Sequence, residues 1–250
     1  MACSIKNLID RSLSDKLLAH NPEIEFFMNT NRQTFDRQLD HLRDEVLQMS
    51  EIVEQAILLS SRALQQHDLS LAREIDNYES RINAQRFIIE EHAYQLLALQ
   101  QPNAKDMRQI VAGVSVVTNL ERIGDHCAGV ARLVIRLGDH PVLESLPELE
   151  QMALTGQWLT RNAMTAFASA DDELAQRVIA RDGEIDALHE QVYRQLISRM
   201  TQDATTIEAG TLLLWVSHNF ERIGDRAANI ARRVPYLVKG ELLHTPEADA

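Results

Sequence analysis

The residues with the clearest chemical potential are the acids of a motif that occurs twice. The segment NLERIGD at 119–125 recurs as NFERIGD at 219–225, 100 positions later. On a helix, the Glu and the Asp of each copy place their Cβ atoms about 5–6 Å apart, so the two charges repel unless a cation lies between them. The pattern therefore predicts one carboxylate site in each copy. The four acids are Glu121, Asp125, Glu221 and Asp225.

Further oxygen ligands are expected on the helix that precedes each motif. If the chain folds back at Pro102, Glu79 lies at the height of Asp125 and Asn83 at the height of Glu121. A second turn near Asp203 gives the second copy the same arrangement. There, Asp182 lies at the height of Asp225, and Asp186 lies at the height of Glu221.

The second copy is the richer in oxygen ligands. Asn229 follows Asp225 by one turn, where the first copy has Gly129, and Asp186 replaces Asn83. We therefore expect the first site to bind metal more weakly. All-oxygen ligands favour hard ions, and we expect divalent or trivalent ions such as Mg, Mn, Ca or Fe, with Zn less favoured. The simpler alternative is a solvated acidic face in which Glu121 pairs with Arg122 or His126 and the repeat reflects only duplicated packing.

Composition predicts the helices that must position these acids. The 250 residues are 45% hydrophobic and include only nine Gly and six Pro, which favours helix over sheet. Apolar residues from Phe35 to Ala56 recur with heptad spacing and predict one long helix. Two more helices follow, the first after the capping residues 67–70 and the second from Asn103 to the break at 138–141.

The second half repeats this plan, with helices predicted at about 149–168, 171–200 and 206–233. We expect Pro235 and Gly240 to close this half of the chain. The fold class is therefore all-α, with two tandem, pseudo-symmetric three-helix bundles. The expected boundaries are an N-terminal extension at 1–31, bundles at 32–138 and 139–240, and a tail at 241–250.

The motifs lie on apolar seams of their helices. Glu121 occupies a seam that runs through Ile110, Gly124, Ala128 and Ile135, so its charge needs a partner. Gly124 and its counterpart Gly224 each cost a helix about 1 kcal/mol relative to Ala, which predicts close approach by another backbone.

Charge and composition exclude several classes of function. The formal charge of −12 disfavours binding to nucleic acid. Aliphatic runs are too short to cross a bilayer, and the first thirty residues contain no signal-peptide core, so we expect a cytoplasmic protein. Two cysteines form no paired framework.

Enzymatic motifs are missing from the sequence. It contains no phosphate-binding glycine loop, HExxH pair or nucleophile elbow. Cys127 follows His126, but adjacent helical side chains point about 100° apart. We therefore predict that the protein is not an enzyme. The rival hypothesis is a metal-dependent hydrolase or oxidase that uses the carboxylates.

The chain resembles the PhoU family of phosphate-specific transport system accessory proteins from about residue 32 to 239. The resemblance rests on FDRQL at 35–39, QP at 101–102, DMRQI at 106–110, DGEID at 182–186 and both ERIGD motifs. It implies two similar three-helix bundles that bind metal at the acidic motifs, and frequent homodimers. It further implies negative regulation of the phosphate-starvation response through the Pst transporter ATPase PstB and the sensor kinase PhoR. Contact with the membrane would then be indirect, through these partners.

Overall fold

A computed structural model describes residues 22–99, 102–138 and 146–240, without the side chains of 22–31 and 99. Most of the expected N-terminal extension, the break at 139–141 and the tail at 241–250 lie outside these ranges. The expected boundary at residue 31 stays a prediction.

All regular secondary structure in the described ranges is helical, which confirms the all-α fold. The long helices form two three-helix bundles in tandem, and α5 and α6 together act as the middle helix of the second bundle. The helices are α1 (Pro22–Gln66), α2 (Leu69–Leu99), α3 (Ala104–Leu137), α4 (Pro147–Ser169), α5 (Asp172–Arg181), α6 (Gly183–Gln202), α7 (Ile207–Ala231) and α8 (Val234–Lys239), with a 3-10 turn at Ala204–Thr206. None of them carries an apolar stretch that could cross a membrane.

Internal contacts divide the described chain into two units after His41. The first unit contributes the N-terminal part of α1, which continues through residue 31 without a break. The second unit begins at Leu42 and holds the rest of α1 together with α2 to α8. The acidic motifs and all the contacts described below belong to this second unit.

Local capping chemistry sets the starts of α2 and α3. Asp68 Oδ1 accepts hydrogen bonds from the backbone amides of Ser70 and Leu71, at 2.8 and 3.1 Å. Asn103 caps α3, and Asp106 completes a capping box by accepting from the Asn103 amide at 3.1 Å. Both predicted helix starts are confirmed. They could be predicted because each depends on side chains within three residues of the boundary.

The second repeat departs from the predicted helices at two places. The single helix expected at 171–200 is interrupted at Asp182, whose amide bonds the carbonyl of Ile179 three residues back. The last long helix, expected to end near Arg233, ends at Ala231, and a short helix that was not expected follows it. Proline is tolerated in the first turn of a helix, and here Pro235 lies in the first turn of α8, which ends at Gly240 with a φ of 81°.

Helices α3 and α7 connect the two repeats. They pack against each other, while α3 also contacts α2 and α7 also contacts α4 and α6. At their crossing, His126 Nδ1 lies 3.1 Å from Asn219 Oδ1. A Cβ at Gly129 would lie only 2.7 Å from the same oxygen. Gly129 thus makes room for an inter-repeat hydrogen bond, a packing reason for the missing ligand of the first copy.

The motif glycines are packed against isoleucine side chains. A Cβ at Gly124 would lie 2.8 Å from Ile82 Cδ1, and one at Gly224 would lie 2.7 Å from Ile185 Cγ2. The expected close approach of another backbone is therefore wrong. The seam assignment is wrong at Ile135, which is partly exposed, and correct at Glu121, which is 8% exposed.

Gly113 and Gly124 on α3 provide a matched test of this packing. A Cβ at Gly113 meets nothing within 4 Å. We expect Gly113→Ala to stabilise the protein by up to about 1 kcal/mol through helix propensity. Gly124→Ala should destabilise it by about 1–3 kcal/mol because Ile82 must move. Chemical denaturation measures both, and equal effects on the free energy of unfolding would contradict this packing.

Candidate metal centre

In the second repeat, the interruption at Asp182 brings an acid against the repeated motif. The Asp182 Oδ1 atom lies 3.4 Å from the position that a Cβ at Gly224 would occupy. Folding back at the turn near Asp203 predicted only that Asp182 lies at the height of Asp225, and the structure places its side chain beside Gly224, the residue before Asp225. One turn beyond Asp182 on α6, the charge of Asp186 acts on Glu221, its predicted neighbour on α7.

Burial and mutual repulsion raise the pKa of three acids in this group. Burial is the main cause for Asp182, Asp186 and Glu221, and the charge of Asp225 is the next. The pKa of Asp182 reaches about 6. These four carboxylates therefore act on one another as a cluster, which we call the second acidic cluster, and their negative charge is incompletely compensated.

Cationic side chains of the described residues contact three acids of the second acidic cluster, and Arg222 Nε lies 3.5 Å from Glu221 Oε2. Arg222 Nη1 lies 3.0 Å from Asp225 Oδ2, while Arg232 Nη2 is 3.7 Å from Asp182 Oδ2. His218 Nδ1 is 3.3 Å from Glu221 Oε2 without hydrogen-bond geometry. Glu221 Oε2 and Asp182 Oδ1 are among the buried oxygen atoms of the described residues that accept no hydrogen bond, and Glu121 Oε2 of the first repeat is another. Such atoms are rare in folded proteins, because leaving them unpaired is costly.

The first repeat neutralises its motif with an arginine that the sequence analysis missed. Arg86 on α2 donates to Glu121 Oε1 at 2.8 Å and to Glu90 at 2.9 Å. Arg122 lies 3.3 Å from Asp125, the second acid of the motif. Asn83, the neighbour predicted for Glu121, lies one turn before Arg86. The fold-back at Pro102 predicted only the height of Asn83 along its helix. The long side chain of Arg86, one turn further on, makes the contact with Glu121 instead.

The internal repeat shows what replaces this arginine in the second copy. At the offset of 103 residues that relates Ile82 to Ile185, Arg86 corresponds to His189. His189 Nδ1 lies 2.7 Å from Ser217 Oγ, so that nitrogen is already engaged. Comparing the two halves at this offset would have revealed the exchange from the sequence alone.

Two other predicted ligands have arginine partners. Glu79 Oε2 lies 3.4 Å from Arg132 Nη1, and the equivalent pair in the second repeat is Asp182 with Arg232. Asn229 Oδ1 accepts from Arg232 Nη1 at 2.9 Å. Glu79 and Asn229 are thus both held by ion-pair or hydrogen-bond contacts in this conformation.

Both repeats match one family model, that of the PhoU domain, at residues 46–134 and 149–234. The chain belongs to the PhoU family. The phosphate-specific transport system accessory protein PhoU of Serratia marcescens is 31% identical, over 86% of this chain and 89% of that protein. The PhoU homolog of Xylella fastidiosa strain 9a5c is also 31% identical, over 86% of this chain and 90% of its own length.

A solved PhoU structure confirms the fold. The crystal structure of PhoU from Pseudomonas aeruginosa superimposes with a TM-score of 0.80 at 33% sequence identity, covering 83% of this chain and all of that one. The two PhoU domains coincide with the two bundles. The fold class and the family expected from the sequence are therefore both correct.

The donor chemistry of the second PhoU repeat fits a hard cation. It combines four carboxylates with two buried oxygens that lack hydrogen bonds. In the present conformation, no three His, Cys, Asp or Glu side chains of the described residues are arranged to hold an ion. Binding would therefore require the carboxylates to turn toward a common centre. The first repeat fits less well, because Arg86 already compensates Glu121.

The raised pKa of Asp182 predicts how stability depends on pH. Folding raises this pKa from 3.8 to about 6, so the folded protein holds the proton more tightly than the unfolded chain. The free energy of unfolding should then decrease as pH rises from about 4 to about 6. Asp182→Asn removes this contribution. In chelator, the variant should match the wild type near pH 4 and melt at a higher temperature near pH 7.

The comparison with the variant isolates Asp182 from the histidines. Burial lowers the pKa of both His126 and His218, which gives the opposite pH dependence, but both proteins share it. Thermal melts of both proteins across this pH range provide the difference in melting temperature. A variant that melts below the wild type near pH 7 would contradict the assignment.

Proposed function

We propose that this protein is a non-enzymatic, metal-binding negative regulator of phosphate uptake and of the phosphate-starvation response. It acts in the cytoplasm as a homodimeric adaptor between the Pst transporter ATPase PstB and the sensor kinase PhoR. The observation that carries the proposal is the match of both bundles to the PhoU domain, together with relatives named as phosphate transport accessory proteins.

The second acidic cluster gives the metal a structural role. Asp182 and Asp186 lie at the junction of α5 and α6, whereas Glu221 and Asp225 lie on α7. Without a cation these carboxylates repel one another, and a hard ion would attract both helices to one centre. Metal binding would thus set the local arrangement of α6 against α7, and with it the surface offered to a partner.

A catalytic role has weaker support. One nucleophile and base pair close to the second acidic cluster in sequence is Ser217 with His189, 2.7 Å apart. The serine is completely buried and also contacts Met152 Sδ, so a substrate has no access to its hydroxyl. In the first repeat the equivalent residues are Val117 and Arg86, which carry no such chemistry. This supports an adaptor over a metal-dependent hydrolase or oxidase.

Isosteric variants of the two repeats test the location of the metal. We expect Glu221→Gln to weaken Mn²⁺ binding by about ten-fold or more, because it removes a charged ligand of the second acidic cluster. Glu121→Gln should leave the tightest Mn²⁺ site unchanged, since Glu121 is already paired with Arg86. Titration calorimetry on chelator-treated protein measures both. A larger loss in Glu121→Gln would reverse the assignment.

Gene deletion tests the regulatory role. Transcripts of phosphate-uptake genes should rise in a deletion strain grown in excess phosphate, and the wild-type gene should restore repression. The Glu121→Gln gene should restore it more fully than the Glu221→Gln gene, because only the latter loses the second acidic cluster. Transcript levels measure each strain. Unchanged transcripts in the deletion strain would refute the negative regulator, whatever the metal titrations give.

A further inference from the structure

Helix α2 exposes two aromatic side chains on one face. Phe87 is 68% exposed and Tyr94 is 56% exposed, although large aromatic residues are usually covered in folded proteins. Their spacing of seven residues is two helical turns, so both rings lie on the same side of α2. Together with Glu90, Glu91, Gln95 and Ala98 they line a shallow groove, which we call the α2 groove.

The rings of the α2 groove lack the cationic cover that other rings in this chain have. The Arg181 guanidinium lies 4.2 Å from the centre of the Trp158 ring, and that of Arg81 lies 5.4 Å from the centre of Tyr78. No guanidinium or ammonium group of the described residues stacks on Phe87 or Tyr94. Two aromatic faces are thus open to a cation from outside.

The carboxylates of the α2 groove are not equivalent. Glu90 is paired with Arg86, which also holds Glu121. Glu91 accepts only from the neutral amide of Gln95, at 3.3 Å, and no cation of the described chain pairs with it. The groove therefore combines two open rings with one uncompensated negative charge.

This charge pattern selects between two occupants. A second copy of the chain would pack the same surface against itself, as symmetric dimers do, and would bring two Glu91 carboxylates close together. Each copy also carries a net charge of −12. A basic segment would instead pair its cations with Glu91 and stack them on the rings, while its apolar residues cover Phe87 and Tyr94.

We propose that the α2 groove docks an amphipathic segment of a partner protein that carries Arg or Lys beside aliphatic residues. The docking does not require metal at the second acidic cluster. It is therefore independent of the proposed metal site, and a negative result in either would leave the other intact.

A synthetic amphipathic helix of Leu, Ala and Arg, labelled for fluorescence anisotropy, is the probe. The wild-type protein should bind it more tightly than a scrambled peptide of the same composition. The double variant Phe87→Ser, Tyr94→Ser should lose about ten-fold or more in affinity, as aromatic anchors do in other interfaces. Glu91→Lys should lose a similar factor and remove most of the salt dependence.

The control is Tyr193→Ser, which removes another exposed ring, on α6 of the second repeat. It should bind the probe as tightly as the wild type does, because Tyr193 lies outside the α2 groove. A loss of affinity in Tyr193→Ser would instead indicate a general attraction of the cationic probe to this acidic protein. Equal affinity of the wild type and the double variant would overturn the proposal. So would loss of dimers in the double variant by sedimentation, because a second copy would then occupy the groove.

Discussion

The structure of both repeats depends on one electrostatic constraint, namely that a glutamate lies at low exposure on the packed side of a helix. Burying an unpaired carboxylate costs several kcal/mol, so each copy needs a compensating charge or a shifted pKa. Glu121 and Glu221 occupy equivalent positions beside a glycine that packs against an isoleucine. The packing is shared between the repeats, and the compensation of the charge is where they differ.

In the first repeat, Arg86 of the same chain compensates the charge of the buried glutamate. Its guanidinium bridges Glu121 and Glu90, so charge compensation is built into α2. The second repeat has His189 at that position, and its Nδ1 lies against Ser217. The second acidic cluster consequently keeps raised pKa values, whereas each copy retains one buried glutamate oxygen that accepts no hydrogen bond. The duplicated fold thus contains one copy whose glutamate is paired with an arginine. In the other copy the carboxylates favour binding of protons or of an added cation.

Much of the fold follows from local sequence, whereas the site depends on contacts between helices. Asp68 and Asn103 define helix starts through their own side chains, so those boundaries are predictable. The break at Asp182 is not, because its one local signal is Gly183, and an isolated glycine is also tolerated inside a helix. Folding the chain back about a turn predicts the height of a residue along its helix, but not the direction or the length of its side chain. That is why it found Asp182 opposite Asp225 and missed Arg86 opposite Glu121.

The central claim concerns the residue at position 86 in the first repeat and 189 in the second. That residue decides whether the buried glutamate is neutralised by an arginine of the chain or is left to bind an added cation. Arg86→His, made in a Glu221→Gln background, tests it most directly because the second site is already weakened there and any gain in binding belongs to the first. Calorimetric titration with Mn²⁺ should show binding to the first repeat that the Glu221→Gln protein lacks. Identical titrations of the two proteins would contradict the claim.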